Sequence, residues 1–303
     1  MSAPGGTREQ QLLKLSLVLA LAFALVTIAF GLSISSSSML FDGVYTVVEA
    51  GMTGLSLITA RLIAKGDDQN FQYGYWHLEP LVALVNSLIL AFACIYGFLD
   101  GLNGLLTGGQ LMDFGDATLF YAVATLFSLS IHLYLRRSGK KLGSQLLDLD
   151  ARSWLIGAIL GAALGIGFLA GSMLAGTDAA WLAPYVDPGI LTIVSLCLLP
   201  LPVRTIIGVG REILQIAPEG LDDQAHNVAE AMAAKHGFVR FNTHVRRAGR
   251  QRFVEMGFVA TSGDMTTSYR DLDRIRGEIA DALGGTNPGC WLTVDFTAED
   301  QWI

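Results

Sequence analysis

Two carboxylates stand seven residues apart in the apolar stretch "SMLFDGVYTVVEAGMTGLSLITARLIA", Ser38 to Ala64: Asp42 and Glu49. If the stretch is helical, that spacing is nearly two turns. Both acids then share one face, about 10 Å apart along the axis, with Tyr45 between them. A carboxylate in hydrocarbon costs roughly 2.5–3.5 kcal/mol on insertion scales, so acids in such a segment face a bundle interior or a water path. The chemistry open to them is proton exchange and cation binding through oxygen. For Asp42 the competing reading is a helix N-cap or an interfacial residue, because it follows Ser36, Ser37 and Ser38 closely. For Glu49 it is a protonated packing residue, although its depth favours a functional role.

The counterparts lie in "SQLLDLDARSWLIGAILGAALGIGF". Asp150, Ser153 and Gly157 repeat the spacing of Asp42, Tyr45 and Glu49. Asp148 and Arg152 fit a solvated pair at the edge of this segment, and Asp150 is open between that cluster and a place on a cation path. The small residues Gly157, Ala158, Gly161, Ala162, Ala163, Gly165 and Gly167 allow another helix to come close. Secondary candidates are Asn86, His77 and Asp295. His77 could titrate near neutrality, yet beside Tyr75 and Trp76 it also reads as an interfacial residue. Cys94, Cys197 and Cys290 have no C-x-x-C spacing and read as buried, inert thiols.

The elements that must position these residues follow from composition. The 303 residues are 52% hydrophobic and 16% charged, with a mean hydropathy of +0.47; that is too apolar for a soluble protein. Six apolar runs, near 11–34, 38–64, 78–106, 112–135, 150–175 and 187–210, are expected to be spans. Up to Arg211, Lys and Arg occur only at the N-terminus, between spans two and three, between spans four and five, and around the last span's exit. Both ends are therefore expected in the cytoplasm. The net charge of -7 divides by region and gives no reason to expect a nucleic acid.

After Ile216 the periodicity changes to helix, two alternating runs around Ala248-Gly249, helix and final strand. The expected organisation is residues 1–213 as an all-α six-helix transmembrane domain and 214–303 as a cytoplasmic α+β domain of order α-β-β-α-β. Asp222 and Asp223 suit the start of its first helix and Gly237 its end.

These parts together, with "FDGVYTVVE", "YGYWHLEPLVALVNSLIL", "LLDLDARSWL" and "YVDPGIL", resemble the cation diffusion facilitator family over nearly the whole chain. The resemblance implies a homodimer that exports divalent metal ions in exchange for protons, with a ferredoxin-like cytoplasmic domain. It further implies a four-residue site that falls here on Tyr45, Glu49, Ser153 and Gly157, which leaves one carboxylate. The family's histidines before span three fall on Phe71 and Tyr75, and those of its soluble domain on Gly257 and Asp295.

The remaining candidates, Asp42, Tyr45, Glu49, Asp150, Ser153 and Asn86, are oxygen donors. Oxygen sets suit manganese, magnesium or another hard cation, or proton coupling alone, better than zinc. The expected function is a proton-coupled cation antiporter of a bacterial inner membrane, centred on Glu49, with Asp42 towards the outer exit and Asp150 towards the inner entrance. It is not an enzyme and needs no cofactor. Manganese, iron, zinc, cobalt and cadmium are not distinguished. The alternatives are an organic or monovalent cation recognised by Tyr45, Tyr73, Tyr75 and Trp76, and a transport-inactive partner subunit or scaffold.

Overall fold

The computed structural model describes residues 4–66, 68–109, 112–142, 145–249, 251–260, 267–285 and 289–303. Among them, six helical stretches are long and apolar enough to cross a membrane. The first five are α1 (Pro4–Ser33), α2 (Ser37–Lys65), α3 (Leu78–Leu106), α4 (Phe114–Leu142) and α5 (Gln145–Ala175). The sixth runs from a 3-10 turn at Ala180–Tyr185 through α6 (Val186–Leu198) and α7 (Pro200–Ile213). The uninterrupted span expected over 187–210 is thus two helices meeting at Leu199. Pro200 supplies no amide hydrogen, and its ring opposes the carbonyl one turn back.

The chain divides into two compact units, Met1–Leu55 with Asn86–Arg204, and Ser56–Val85 with Thr205–Ile303. In the first, α4 and α5 form the most extensive pairing. The buried face of α4 runs Phe114, Ala117, Tyr121, Ala124, Ser128, His132 and Leu135, at helical spacing. Glycines of α5 receive it. A Cβ on Gly165 would stand 3.2 Å from Tyr121 Cβ, and one on Gly161 would stand 3.2 Å from Thr125 Oγ1. Helix α2 meets α1 at Gly43, where a Cβ would lie 3.1 Å from the Ile28 amide nitrogen.

The N-terminus of α2 is held from α6. Asp187, 1% exposed, accepts hydrogen bonds from Ser36 Oγ at 2.6 Å, from the Ser37 amide at 2.9 Å and from Ser38 Oγ. Ser36 Oγ itself accepts from the Met39 amide at 3.3 Å, the local N-cap bond, and Asp187, about 150 positions away in the chain, holds that serine and the Ser37 amide; Asp42 lies inside the helix.

In the second unit, the C-terminal domain has the expected order: α8 (Glu219–His236), β1 (Arg240–Ala248), β2 (Gln251–Val259), α9 (Tyr269–Ala282) and β3 (Cys290–Thr297). The sheet order is β1-β2-β3, with β1 antiparallel and β3 parallel to β2. Helix α8 starts ahead of the expected aspartates, with Pro218 as N-cap and Asp222 in its first turn. It ends at Gly237, whose φ of +76° is left-handed. Ala225, Ala229 and Ala233 of α8 and Ile275 and Ile279 of α9 pack on Val254, Met256 and Phe258 of β2 to make the core. The β1–β2 turn lies against the start of α3 and the end of α7. The Gly249 amide donates to Glu212, and a Cβ on Gly249, already at φ +60°, would stand 2.7 Å from Glu79 Oε2 and 3.1 Å from the Trp76 carbonyl oxygen.

Candidate functional site

A cavity of about 90 Å³ in the first unit is lined by Asp42, Thr46 and Glu49 of α2, Tyr121 and Ser128 of α4, and Ser153 of α5, with apolar groups including Phe23 and Trp154. Helical spacing explains the composition, since Asp42, Thr46 and Glu49 recur at four and three residues along one stripe. Tyr121 and Ser128 sit two turns apart on the buried face of α4.

The two ends of the cavity differ. At the closed end Asp42 is 9% exposed and Tyr121 is fully buried. The Tyr121 hydroxyl donates to Asp42 Oδ2 at 3.0 Å. The reading of Asp42 as a helix cap is corrected on two counts, by its place within α2 and by the capping role of Ser36. Thr46 Oγ1 donates to the Asp42 carbonyl at 2.9 Å, so its lone pairs are the part left for other partners. At the other end Glu49 and Ser153 are exposed, and a Cβ on Gly157 would meet nothing within 4 Å. The positions of α5 at this end carry only a hydroxymethyl group and a hydrogen atom, so it is the more accessible of the two.

Tyr45 does not line this cavity. Its hydroxyl is near the Glu49 carboxylate, and its ring lies 6.2 Å from that of Phe41. Asp150 is likewise outside the cavity. It stands beside Ser16, whose Oγ accepts from Trp154 Nε1 at 2.7 Å. Asp150 Oδ2 is buried without a hydrogen-bond partner among the described residues. It does not join the Asp148–Arg152 pair, which closes at 3.2 Å. Asn86 Oδ1 is buried and unpartnered among the described residues, again away from the cavity.

The remaining candidates belong to the second unit. His77 is exposed and stacks on Phe71 at 5.5 Å. Asp295 is exposed on β3, opposite Gly257 of β2. Among the described residues no group of three or more His, Cys, Asp or Glu side chains is gathered. The loop before α3 is closed by Asp68, which accepts from Tyr75 Oη, Lys65 Nζ and the Asn70 and Phe71 amides. The Tyr75 hydroxyl, then the Phe71 amide and the Lys65 ammonium, hold the Asp68 carboxyl well below the usual carboxylate range. Hydrogen bonding to Asp68 pushes the Tyr75 phenol and the Lys65 ammonium up.

Sequence reasoning missed Tyr121, Ser128, His132 and Asp187. Tyr121 and Ser128 were legible as polar members of the stripe on α4, seven residues apart. His132 continues that stripe and is buried, its ring Nδ1–H donating to the Ala151 carbonyl at 2.6 Å. Asp187 carried no signal of its role, because its partners are remote in sequence. Of the cysteines expected to be buried, Cys94 is, whereas Cys197 is exposed because it lies on an uncovered face of α6.

Residues 13–214 match the family described as the cation efflux transmembrane domain. No curated protein matches the chain.

Proposed function

Given that the chain belongs to the cation efflux family of ion transporters, we propose that it is a proton-coupled antiporter exporting an inorganic cation, a divalent metal ion foremost, through the cavity that Asp42 and Glu49 share. The observation that carries this reading is the cavity itself, with two carboxylates of one helix stripe and the hydroxyls of Thr46, Tyr121, Ser128 and Ser153. Its volume of about 90 Å³ corresponds to roughly three waters at about 30 Å³ each. That suits an ion keeping part of its hydration shell, whereas pockets for drug-sized organic ligands run from about 300 Å³ upwards. The side-chain oxygens that line it favour a hard cation over zinc.

In this reading a carboxylate loses its proton to take the cation and regains one to release it. Glu49, at the accessible end, is the group that exchanges. Asp150, with an oxygen unpartnered among the described residues, stands beside Ser16 towards the inner entrance. The molecule works as a homodimer, with residues 1–213 as the transport domain, 214–303 as a cytoplasmic domain, and both termini inside. One observation favours an organic cation: an apolar cavity of about 500 Å³ lined by Phe41, Phe92, Tyr96 and Asp100 among others.

The test is uptake into proteoliposomes under an imposed pH gradient, with manganese, magnesium, zinc, cobalt, cadmium and iron each supplied alone, comparing wild type with Glu49→Gln. Saturable, gradient-dependent uptake lost in the variant is the expected result. If no metal moves while an organic cation such as tetraethylammonium does, the larger cavity becomes the site. If neither moves, the transport reading fails and a partner-subunit role replaces it.

A further inference from the structure

We propose that Tyr121 is a positioning residue for the cation, holding the Asp42 carboxylate so that the buried end of the cavity, and not the Tyr45–Glu49–Ser153–Gly157 positions, is where the ion is bound. This rests on the transport reading above and shifts the centre of its site along α2.

The first argument is the fixed geometry of the donor. The Tyr121 ring stacks on Phe168 with centroids 5.7 Å apart and planes at 22°, and meets Phe120 edge-on at 5.4 Å. On α5, Gly165 and Gly161 lie so close that added Cβ atoms would stand 3.2 Å from Tyr121 Cβ and 3.7 Å from its Cδ1. The fully buried ring is packed on these sides, and its hydroxyl donates to Asp42 Oδ2. With one carboxylate oxygen held by that donor, the other is left to the cavity that Asp42 lines. A binding group held by packed neighbours is preorganised and loses little freedom when the ion arrives.

The second argument is the contrast with the open end. There Glu49 is exposed, Tyr45 lies outside the cavity lining, and the Gly157 position offers no atom within 4 Å of where a side chain would begin. Glu49 is the one carboxylate there, with Ser153 and Gly157 offering no second charged ligand. At the closed end Asp42 and Tyr121 line the cavity together, with Thr46 one turn along α2, whereas Ser128 lies two turns from Tyr121 along α4.

The experiment measures initial uptake rates in proteoliposomes against concentration, with Mn²⁺, Mg²⁺, Zn²⁺, Co²⁺, Cd²⁺ and Fe²⁺ supplied individually, for wild type, Tyr121→Phe, Asp42→Asn and Glu49→Gln. Tyr121→Phe keeps the ring and removes only the donor. Losing a hydrogen bond to a charged group corresponds to roughly tenfold or more in an equilibrium constant, so KM is expected to rise about tenfold or more with Vmax within about twofold of wild type. A merely structural Tyr121 would lower the amount of folded transporter, and hence Vmax, and leave KM alone. That outcome overturns the proposal.

If Tyr121→Phe does not give monodisperse protein, Asp42→Asn decides. A KM unchanged in that variant, with Glu49→Gln inactive, places the ion at Glu49 and refutes the inference while the transport reading stands. Wild type that transports none of the six ions removes the reading and the inference together.

Discussion

Replacing Asp187 by alanine should destabilise the transmembrane unit by an amount that can be worked from its three hydrogen bonds. The carboxylate is 1% exposed and accepts from Ser36 Oγ, the Ser37 amide and Ser38 Oγ. Hydrogen bonds to a charged group contribute about 1.5–3 kcal/mol each, and a buried donor left without an acceptor costs about 1–3 kcal/mol. The three share one acceptor group, so they do not add, and removing a buried charge recovers part of its desolvation. A net loss of about 3–5 kcal/mol is expected. For a unit of 150–250 residues, each kcal/mol moves Tm by about 2–4 °C, so Tm should fall by roughly 6–20 °C. Asp187→Asn retains one oxygen acceptor for the serine hydroxyls and loses that for the Ser37 amide, so it should fall between wild type and alanine. The assay is thermal unfolding of the detergent-solubilised protein followed by intrinsic tryptophan fluorescence. A Tm within about 2 °C of wild type for Asp187→Ala, or asparagine and alanine variants that match, would refute this carboxylate as the device that fixes α2.

Gly165→Leu should cost about 1–3 kcal/mol by overpacking against Tyr121, read as reduced yield of monodisperse protein, whereas Gly157→Ala, which meets open space, should leave the yield unchanged. Gly249→Val combines a left-handed φ with contact on Glu79 and the Trp76 carbonyl, so tryptic cleavage near the β1–β2 turn should accelerate several-fold; equal cleavage would show that the turn does not lie there. Asp68 is held below the ordinary carboxylate range by Tyr75 before any other group, so its contribution to loop order is fully present above the unfolded pKa of about 3.9 and is lost only as pH falls through the lower folded value. Hydrogen-exchange protection of residues 68–75, corrected for intrinsic rates, should therefore be constant between about pH 5 and pH 9 in wild type and reduced throughout in Asp68→Asn.

Much of the candidate site was legible from local pattern. The Asp42–Glu49 spacing gave a shared helical face, and both acids line one cavity. Ser153 and the glycines of α5 were found from the same periodicity. The competing reading of Asp42 as a cap failed because a residue of the preceding serine run, Ser36, takes that place and is itself held by Asp187 from another helix. The difference in accessibility between the two acids was not legible, because it depends on what faces each residue, and Gly157 and Ser153 leave the Glu49 end the more open. Asp150 was grouped with the acids of α2 by its spacing and Asn86 as an oxygen donor, and the structure places both outside their cavity.

The sequence by itself determined that the chain has six membrane-crossing stretches and an α-β-β-α-β domain, because hydrophobic run length and the 3.6- and 2-residue periods are local properties of the chain. The tertiary structure alone decided which acid is the more buried, which donor holds it and which residue holds the start of α2. Those outcomes depend on pairs such as Tyr121 with Asp42, 79 residues apart, and Ser36 with Asp187, 151 apart. No local spacing brings such groups together. They meet because α4 packs into the glycine face of α5 and the first turn of α6 lies beside the start of α2, and packing of that kind is settled by side-chain volume across elements.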